Sequence, residues 1–381
     1  MPSIYLDNAA STRVADEVLA LMTEVMRTAW GNPSAQHPLG AAARAHLDTA
    51  RGRLLAALGD RDGKLSDIVW TSGCSEANAL AVLGAARVRS GKLVISTLEH
   101  PAISTLADRL AREGREIVRV APGRGGVLDP DEVAEAAHGA GVVSLIAVQN
   151  EVGVVQPVAA IAQAIRATGN TCHIHVDAAQ AVGKIALDFQ ALQVDSIAVA
   201  GHKLHGPKGV GALQLRAGAA IEPLWVGGGQ QRGLRGGTQD APGAAGLGLA
   251  AERAIAALPS ARARWLELAA RVHQLLAERG VAFRQLVPDH RRAPHILALG
   301  FPNVSAGALR NVLSSRGVCI STGSACADGH DHKISAALVA LDFPADHGMV
   351  RLSFGLDTTL DEVETATRIL GDVAADLAGK N

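Results

Sequence analysis

Between residues 67 and 215, short apolar runs alternate with longer stretches in which apolar residues recur every three or four positions. The runs lie at 67–70, 92–96, 142–148, 171–176, 195–200 and 209–215, and the amphipathic stretches at 75–89, 101–113, 130–138 and 158–168. Near-continuous apolar runs are strands covered on both faces, and the amphipathic stretches are the helices that cover them. The pattern therefore predicts an α/β fold built on a mostly parallel sheet. Ligands on such sheets bind beyond the carboxyl ends of the strands, so polar residues just past each run are the first candidates for chemistry.

The texture changes after about residue 258. A helical period over 261–279 leads to strand patterns at 296–299, 318–320 and 349–353 and a closing helix over 360–377. This predicts a large domain of residues 14–258 beside a smaller α/β domain made of 1–13 and 259–381.

Composition narrows the class. The chain has 381 residues, 48% of them hydrophobic but only 3% aromatic, so the core must be built from Ala, Val, Leu and Ile in close helix–sheet contact. The formal net charge is −1 with no basic block, which argues against direct nucleic-acid binding. The start lacks a charged segment followed by an apolar core, and no apolar stretch is long enough to span a bilayer, so a soluble cytoplasmic protein is expected. Cys74, Cys172, Cys319 and Cys326 form no C-x-x-C pair and are too scattered for a disulfide framework.

Two strand ends carry the most specific chemistry. Lys203 follows the run at 195–200 in Gly201-His202-Lys203-Leu204-His205-Gly206-Pro207-Lys208-Gly209, and Asp177 ends another in His175-Val176-Asp177-Ala178-Ala179-Gln180. A pyridoxal phosphate enzyme needs an amine to form a Schiff base and a carboxylate to keep the pyridine nitrogen protonated, and this order of segments offers both.

Other segments fit around that pair. Thr71-Ser72-Gly73-Cys74-Ser75-Glu76-Ala77-Asn78 joins a strand to a helix and presents a helix N-terminus to an anion, although a well-capped turn would read alike. Glu99-His100-Pro101 and Asn150-Glu151-Val152-Gly153 follow two further runs; His100 can stack on a flat ring or move a proton, and Asn150 can donate to a hydroxyl or a substrate. The glycine-rich segment 227–238 contains Arg235 and Thr238, candidate donors to an anion. Arg351, charged within an apolar strand, needs a partner: either a substrate carboxylate or a structural ion pair. Cys326 lies in Ser321-Thr322-Gly323-Ser324-Ala325-Cys326-Ala327-Asp328-Gly329-His330-Asp331-His332, a loop-like setting for a nucleophilic thiol. His330 and His332 add a C-x3-H-x-H appearance, but no fourth ligand accompanies them and no metal is expected.

Taken together, these segments resemble the cysteine desulfurases of NifS and IscS type within the class V aminotransferase family. The resemblance spans nearly the whole chain and adds Tyr5-Leu6-Asp7-Asn8-Ala9-Ala10 and Gly31-Asn32-Pro33-Ser34 to the motifs above. It implies the fold type I of pyridoxal phosphate-dependent transferases, with a seven-stranded, mostly parallel sheet in the large domain. It implies that Lys203 carries pyridoxal 5′-phosphate, that Asp177 pairs with its ring nitrogen and that His100 stacks on the ring. Gln180 and Asn150 would contact the ring hydroxyl. Ser75, the backbone near Cys74, and His202 would hold the phosphate, joined by Thr238 from the other subunit of a homodimer. Arg351, Asn150 and Asn32 would bind the substrate, L-cysteine. Cys326 would accept its sulfur as a persulfide, release L-alanine and pass the sulfur to an acceptor protein for iron–sulfur assembly, tRNA thiolation or DNA phosphorothioation.

Two segments depart from the family. Val199-Ala200-Gly201 lacks the serine that often binds phosphate ahead of the lysine, and Ala327 to Lys333 lacks the usual Leu-Glu-Pro-Ser, which leaves the acceptor open. Alternatives within the fold are another class V enzyme, such as a selenocysteine lyase or an aminotransferase, and a non-catalytic scaffold of a sulfur-transfer complex.

Overall fold

In a computed structural model that describes residues 3–322 and 335–379, the alternating pattern becomes twelve strands and eleven α-helices among the described residues. The strands are β1 (Ile4–Tyr5), β2 (Ser66–Thr71), β3 (Lys92–Ser96), β4 (Ile117–Val120), β5 (Ala140–Ile146), β6 (His173–Asp177), β7 (Ser196–Ala200), β8 (Gly211–Arg216), β9 (Arg284–Gln285), β10 (Ile296–Pro302), β11 (Val318–Cys319) and β12 (His347–Ser353). The helices are α1 (Asp16–Thr28), α2 (Pro38–Ala57), α3 (Cys74–Val88), α4 (Pro101–Arg112), α5 (Pro130–Ala136), α6 (Val158–Ala167), α7 (Phe189–Leu192), α8 (Ala241–Glu278), α9 (Ala306–Ser315), α10 (Ala336–Ala340) and α11 (Leu360–Ala378).

Seven strands form one sheet in the order β2-β8-β7-β6-β5-β3-β4. All run parallel except β8, which is antiparallel to both of its neighbours. Side-chain alternation divides the sheet between two layers of helices. Ile68 and Trp70 join the apolar cluster of α1, α2, α6 and α8, whereas Val69 joins that of α3 and α4; likewise Ile197 and Val199 face the first cluster and Ala198 the second. The sequence pattern shows six of these strands. It misses β4, Ile117-Val118-Arg119-Val120, because this edge strand has no fully buried residue and its exposed Arg119 breaks the apolar run.

Helix α8 corrects a second expectation. The sequence suggests a helix from 261, but the helix begins at Ala241 and runs unbroken for 38 residues through Pro259. Its first half is rich in Gly and Ala because it packs closely: a Cβ at Gly248 would lie 2.7 Å from the Ala50 Cα of α2. The same helix supplies Leu247 and Ala251 to the core of the large sheet and Trp265, Leu268 and Val272 to a second core. That second core covers the antiparallel sheet β12-β10-β9 together with α9 and α11.

Residues 4–12 bridge the two regions. β1 pairs with β11, Ser353 N donates to Leu6 O at 2.8 Å, and Asn8 Nδ2 donates to Ser353 O at 3.0 Å. Four residues later, Thr12 N donates to His202 O at 2.8 Å, beside Lys203. No helix among the described residues is long and apolar enough to cross a membrane.

Candidate active site

The strand ends β2, β3, β5, β6 and β7 share one edge of the large sheet, and the segments that follow them line a cavity of about 860 Å³. Of the residues singled out in the sequence, Cys74, Ser75, His100, Asn150, Asp177, Gln180, His202, Lys203 and Arg351 all border it. They come from positions 74 to 351, so the fold assembles them.

Lys203 ends a single 3-10 turn after β7, a turn too tight for a side chain at its first residue: a Cβ on Gly201 would lie 2.7 Å from Pro207 O. Its Nζ donates to Ala9 O at 2.5 Å and Ala10 O at 2.7 Å, both on the bridging segment. Burial first, and then the Arg351 cation, lower its pKa to about 8, against the opposing pull of Asp7, Cys74 and Asp177. The amine is thus far closer to its neutral, nucleophilic form at pH 7 than an exposed lysine. His202 beside it is lowered to about 4 by burial and then by Lys203, Lys208 and Lys184, and so is neutral. Lys184, which the sequence reading did not single out, is 4% exposed and donates from Nζ to Lys203 O at 2.7 Å, holding the turn from behind.

Asp177 is 4% exposed. Its Oδ1 accepts from Ala179 N at 3.0 Å and its Oδ2 from Asn78 Nδ2 at 2.7 Å. Cys74 Sγ lies 3.6 Å from Oδ1; burial, followed by this carboxylate, pushes the Cys74 thiol well above its ordinary pKa. Cys74 is therefore a protonated donor rather than a nucleophile.

Helix α3 starts at Cys74 with no side chain capping its first amides, so its N-terminus faces the cavity as an anion site. Glu76 does not compete for that site. It accepts from Ser72 N at 2.6 Å and from Arg235 Nε at 2.9 Å, and although desolvation would raise its pKa, these hydrogen bonds leave it lowered. Arg235, a candidate anion donor in the sequence, is instead committed to this ion pair. The turn at Gly73 sits against β8: a Cβ on Gly211 would lie 2.5 Å from the Gly73 carbonyl carbon. Gly211→Ala is expected to push this turn outward, lower the melting temperature by several degrees and weaken inorganic phosphate binding about tenfold, as read by calorimetric titration.

Arg351, with a side chain 6% exposed, pairs with Asp7 at 2.6 Å and donates to Asn150 O at 2.6 Å. The structural ion pair considered from the sequence is thus present, and Arg351 Nε remains buried without a hydrogen-bond partner at the cavity wall. Gln180 engages both ends of its amide: Nε2 donates to Ala9 O at 2.7 Å and Oε1 lies 3.2 Å from His295 Nε2. His100 caps α4 by accepting Ala102 N on Nδ1 at 3.1 Å, which places the proton of its neutral form on Nε2. Desolvation is the leading cause of its lowered pKa. The neighbouring Glu99 anchors the loop to β5, accepting Ser96 Oγ at 2.6 Å and Ile146 N at 2.8 Å, and burial pushes its carboxyl up to about 8.

Two expected residues lie elsewhere in this chain. Asn32 is exposed and accepts Ser34 N at 2.9 Å, and Thr238 is exposed; neither borders the cavity. Cys326, His330 and His332 lie outside the described residues. The sequence missed Asp7, Glu76, Asn78 and Lys184 as working parts. Asp7 had a signal in the Tyr5-to-Ala10 motif, and Glu76 and Asn78 in the Thr71-to-Asn78 turn; Lys184 had none.

The donor set fits pyridoxal 5′-phosphate on chemical grounds: an amine of lowered pKa, a buried carboxylate and uncapped helix amides border one cavity. Comparison with known proteins points the same way. The class V aminotransferase family model matches residues 4–365. A cysteine desulfurase of Rhodobacter capsulatus is 37% identical, covering 99% of this chain and 97% of that protein. The cysteine desulfurase NifS of Azotobacter vinelandii is 35% identical over 99% of this chain and 94% of its own. Among solved structures, a NifS-like protein superposes with a TM-score of 0.90 at 31% identity, covering 98% of this chain and all 100% of the other. A structure of SspA in complex with cysteine gives a TM-score of 0.80 at 30% identity, over 92% of this chain and 99% of that one.

Proposed function

The chain belongs to the class V aminotransferase family, among its cysteine desulfurases, and on that footing we propose that it binds pyridoxal 5′-phosphate in this cavity and takes sulfur from L-cysteine. The products are L-alanine and a persulfide on Cys326, whose sulfur passes to an acceptor protein. The observation that carries the reading is the joint presence of the Lys203 amine, the Asp177 carboxylate and the free amides of α3 around one cavity.

When bound, the cofactor supplies an electron sink for the bonds that break in the substrate. The chain's own residues do the rest. Lys203 would hold the cofactor covalently and then move the proton at the substrate's α-carbon, a task suited to an amine with a pKa of about 8. Asp177 would hold the ring nitrogen. The amides at Cys74 and Ser75, with neutral His202, would hold the phosphate, and His100 would lie against the ring. Asn150 would reach the ring hydroxyl, as would Gln180 on exchanging one of its present partners. Arg351 would bind the substrate carboxylate, with Nε as a donor not yet engaged. Cys326 would attack the substrate sulfur as thiolate: the S–S bond forms, the C–S bond breaks, and the carbon takes up a proton.

We propose a homodimer, with Thr238 and Asn32 serving the neighbouring site. Its support is the exposure of Leu19, Met26 and Trp30, on and just after α1, at 55%, 56% and 68%. The separate apolar cores on the large sheet and on β10 and β12 support a division into residues 14–258 and 1–13 with 259–381, with α8 running through both and a further apolar cluster packing across the boundary. A cytoplasmic location belongs to the same reading, and iron–sulfur assembly, tRNA thiolation and DNA phosphorothioation are the destinations to test for the sulfur.

Cys326→Ala tests the proposal. The visible band of the bound cofactor should persist while single-turnover alanine formation from L-cysteine falls at least roughly a hundredfold. Undiminished alanine formation would overturn the desulfurase role of this thiol.

A further inference from the structure

Asp177 ends a buried chain of polar side chains that none of the roles above employs. Asn78 of α3, 1% exposed, donates from Nδ2 to Asp177 Oδ2 at 2.7 Å. Asn78 Oδ1 lies 2.9 Å from His175 Nε2 on β6, and His175 Nδ1 lies 2.8 Å from Ser196 Oγ on β7. Ser196 Oγ in turn lies 2.8 Å from His173 Nε2. His173, His175 and Ser196 are each 0% exposed.

The chemistry of the groups fixes the sense of every bond. A carboxylate only accepts, so Asn78 turns its NH2 to Asp177 and its carbonyl to His175. His175 must then carry its proton on Nε2 and offer Nδ1 as an acceptor. Ser196 donates to that nitrogen, and its oxygen is left to accept from His173 Nε2–H. The chain stops at His173 Nδ1, buried and without a hydrogen-bond partner. Both rings are neutral, since burial takes each to a pKa of about 3, helped at His173 by Arg89 and Arg166 and at His175 by His173. All four donors thus point toward Asp177. Apolar residues would fill these interior positions without an unsatisfied nitrogen at the end, so packing alone does not account for the arrangement.

We propose that Asn78, His175, Ser196 and His173 are positioning residues for Asp177, a one-way donor chain that fixes how its carboxylate meets the cofactor's ring nitrogen. The proposal rests on the cofactor reading above. Polarisation along such a chain strengthens its final bond, so groups remote from the cavity bear on the ring.

Ring-nitrogen NMR of 15N-labelled apoprotein at pH 7 tests the chain without the cofactor. In the wild type, His173 and His175 should each be the Nε2–H tautomer. Asn78→Ala removes the acceptor from His175, and both rings should then become tautomer mixtures, although His173 lies three groups away. Ser196→Ala should release His173 alone. In the loaded enzyme, Asn78→Ala should weaken cofactor affinity about tenfold and shift the visible maximum; Ser196→Ala should weaken it about threefold. A wild-type His173 tautomer in Asn78→Ala overturns the proposal, as does wild-type cofactor affinity in folded Ser196→Ala. Wild-type protein that takes up no cofactor would instead remove the cofactor reading, and with it the purpose of the chain, while the apoprotein spectra separately report whether the chain itself exists.

Discussion

Lys203→Ala is expected to lose the covalently held cofactor and to cut alanine formation from L-cysteine by about four orders of magnitude. The amine has two tasks in the proposed reaction, attachment and proton movement; of the nearby lysines, Lys208 also borders the cavity but follows no strand end. Lys184 points its Nζ to the Lys203 carbonyl, and Lys208 donates to Thr12 O at 3.3 Å. The variant should still fold. The amine's partners are two backbone carbonyls at an open cavity, which water can satisfy. Its loss also removes a positive charge that depresses His202 and Lys184, so both should titrate at higher pH than about 4 and about 7 respectively. Mass spectrometry after borohydride reduction, together with an alanine assay, reads the main effect. Retention of the cofactor's mass on the variant would contradict the assignment.

Asp177→Asn carries the second-largest expected effect, about two to three orders of magnitude in alanine formation, from a change that barely alters shape. The carboxylate accepts from Asn78 on one oxygen and from Ala179 N on the other. An amide has a single oxygen, so its NH2 must confront one of those two donors. The unmet donor is buried and costs about 1–3 kcal/mol, and the negative charge that would balance a protonated ring nitrogen is gone. The cofactor's absorbance maximum should shift and its affinity should fall. The thiol of Cys74 should titrate at lower pH, because after burial the Asp177 charge is the leading cause of its rise. Near-wild-type turnover in a folded, cofactor-loaded Asp177→Asn protein would remove Asp177 from the mechanism.

The parts of the site legible in the sequence are those fixed by strand ends. Lys203, Asp177, His100 and Asn150 each follow an apolar run, and parallel strands bring such positions to one edge whatever lies between them. The parts that stay hidden depend on pairing across the chain. Asp7 meets Arg351 across 344 positions, and Asn78 meets Asp177 across 99; neither spacing leaves a periodic trace. The same holds for the fold. β3 reads cleanly because it is apolar on both faces, whereas the buried face of α2 mixes Leu47, Leu54 and Leu55 with Gly40, Ala43, Ala50 and Ala57, residues too small to extend a hydrophobic pattern. Asn32 and Thr238 carried a motif but are exposed away from the cavity of their own chain.

The bridging segment at residues 4–12 has a consequence for how the molecule folds. Asn8 and Ala9 bind Ser353, 345 and 344 positions away, and Ala9 and Ala10 carry the carbonyls that hold Lys203. Closing so long a loop is entropically unfavourable and slow. The large sheet, whose strands pair over shorter separations, can therefore form while its reactive lysine stays unanchored. The amine therefore gains its two carbonyl partners in a late step of folding, when residues separated by most of the chain close on one another.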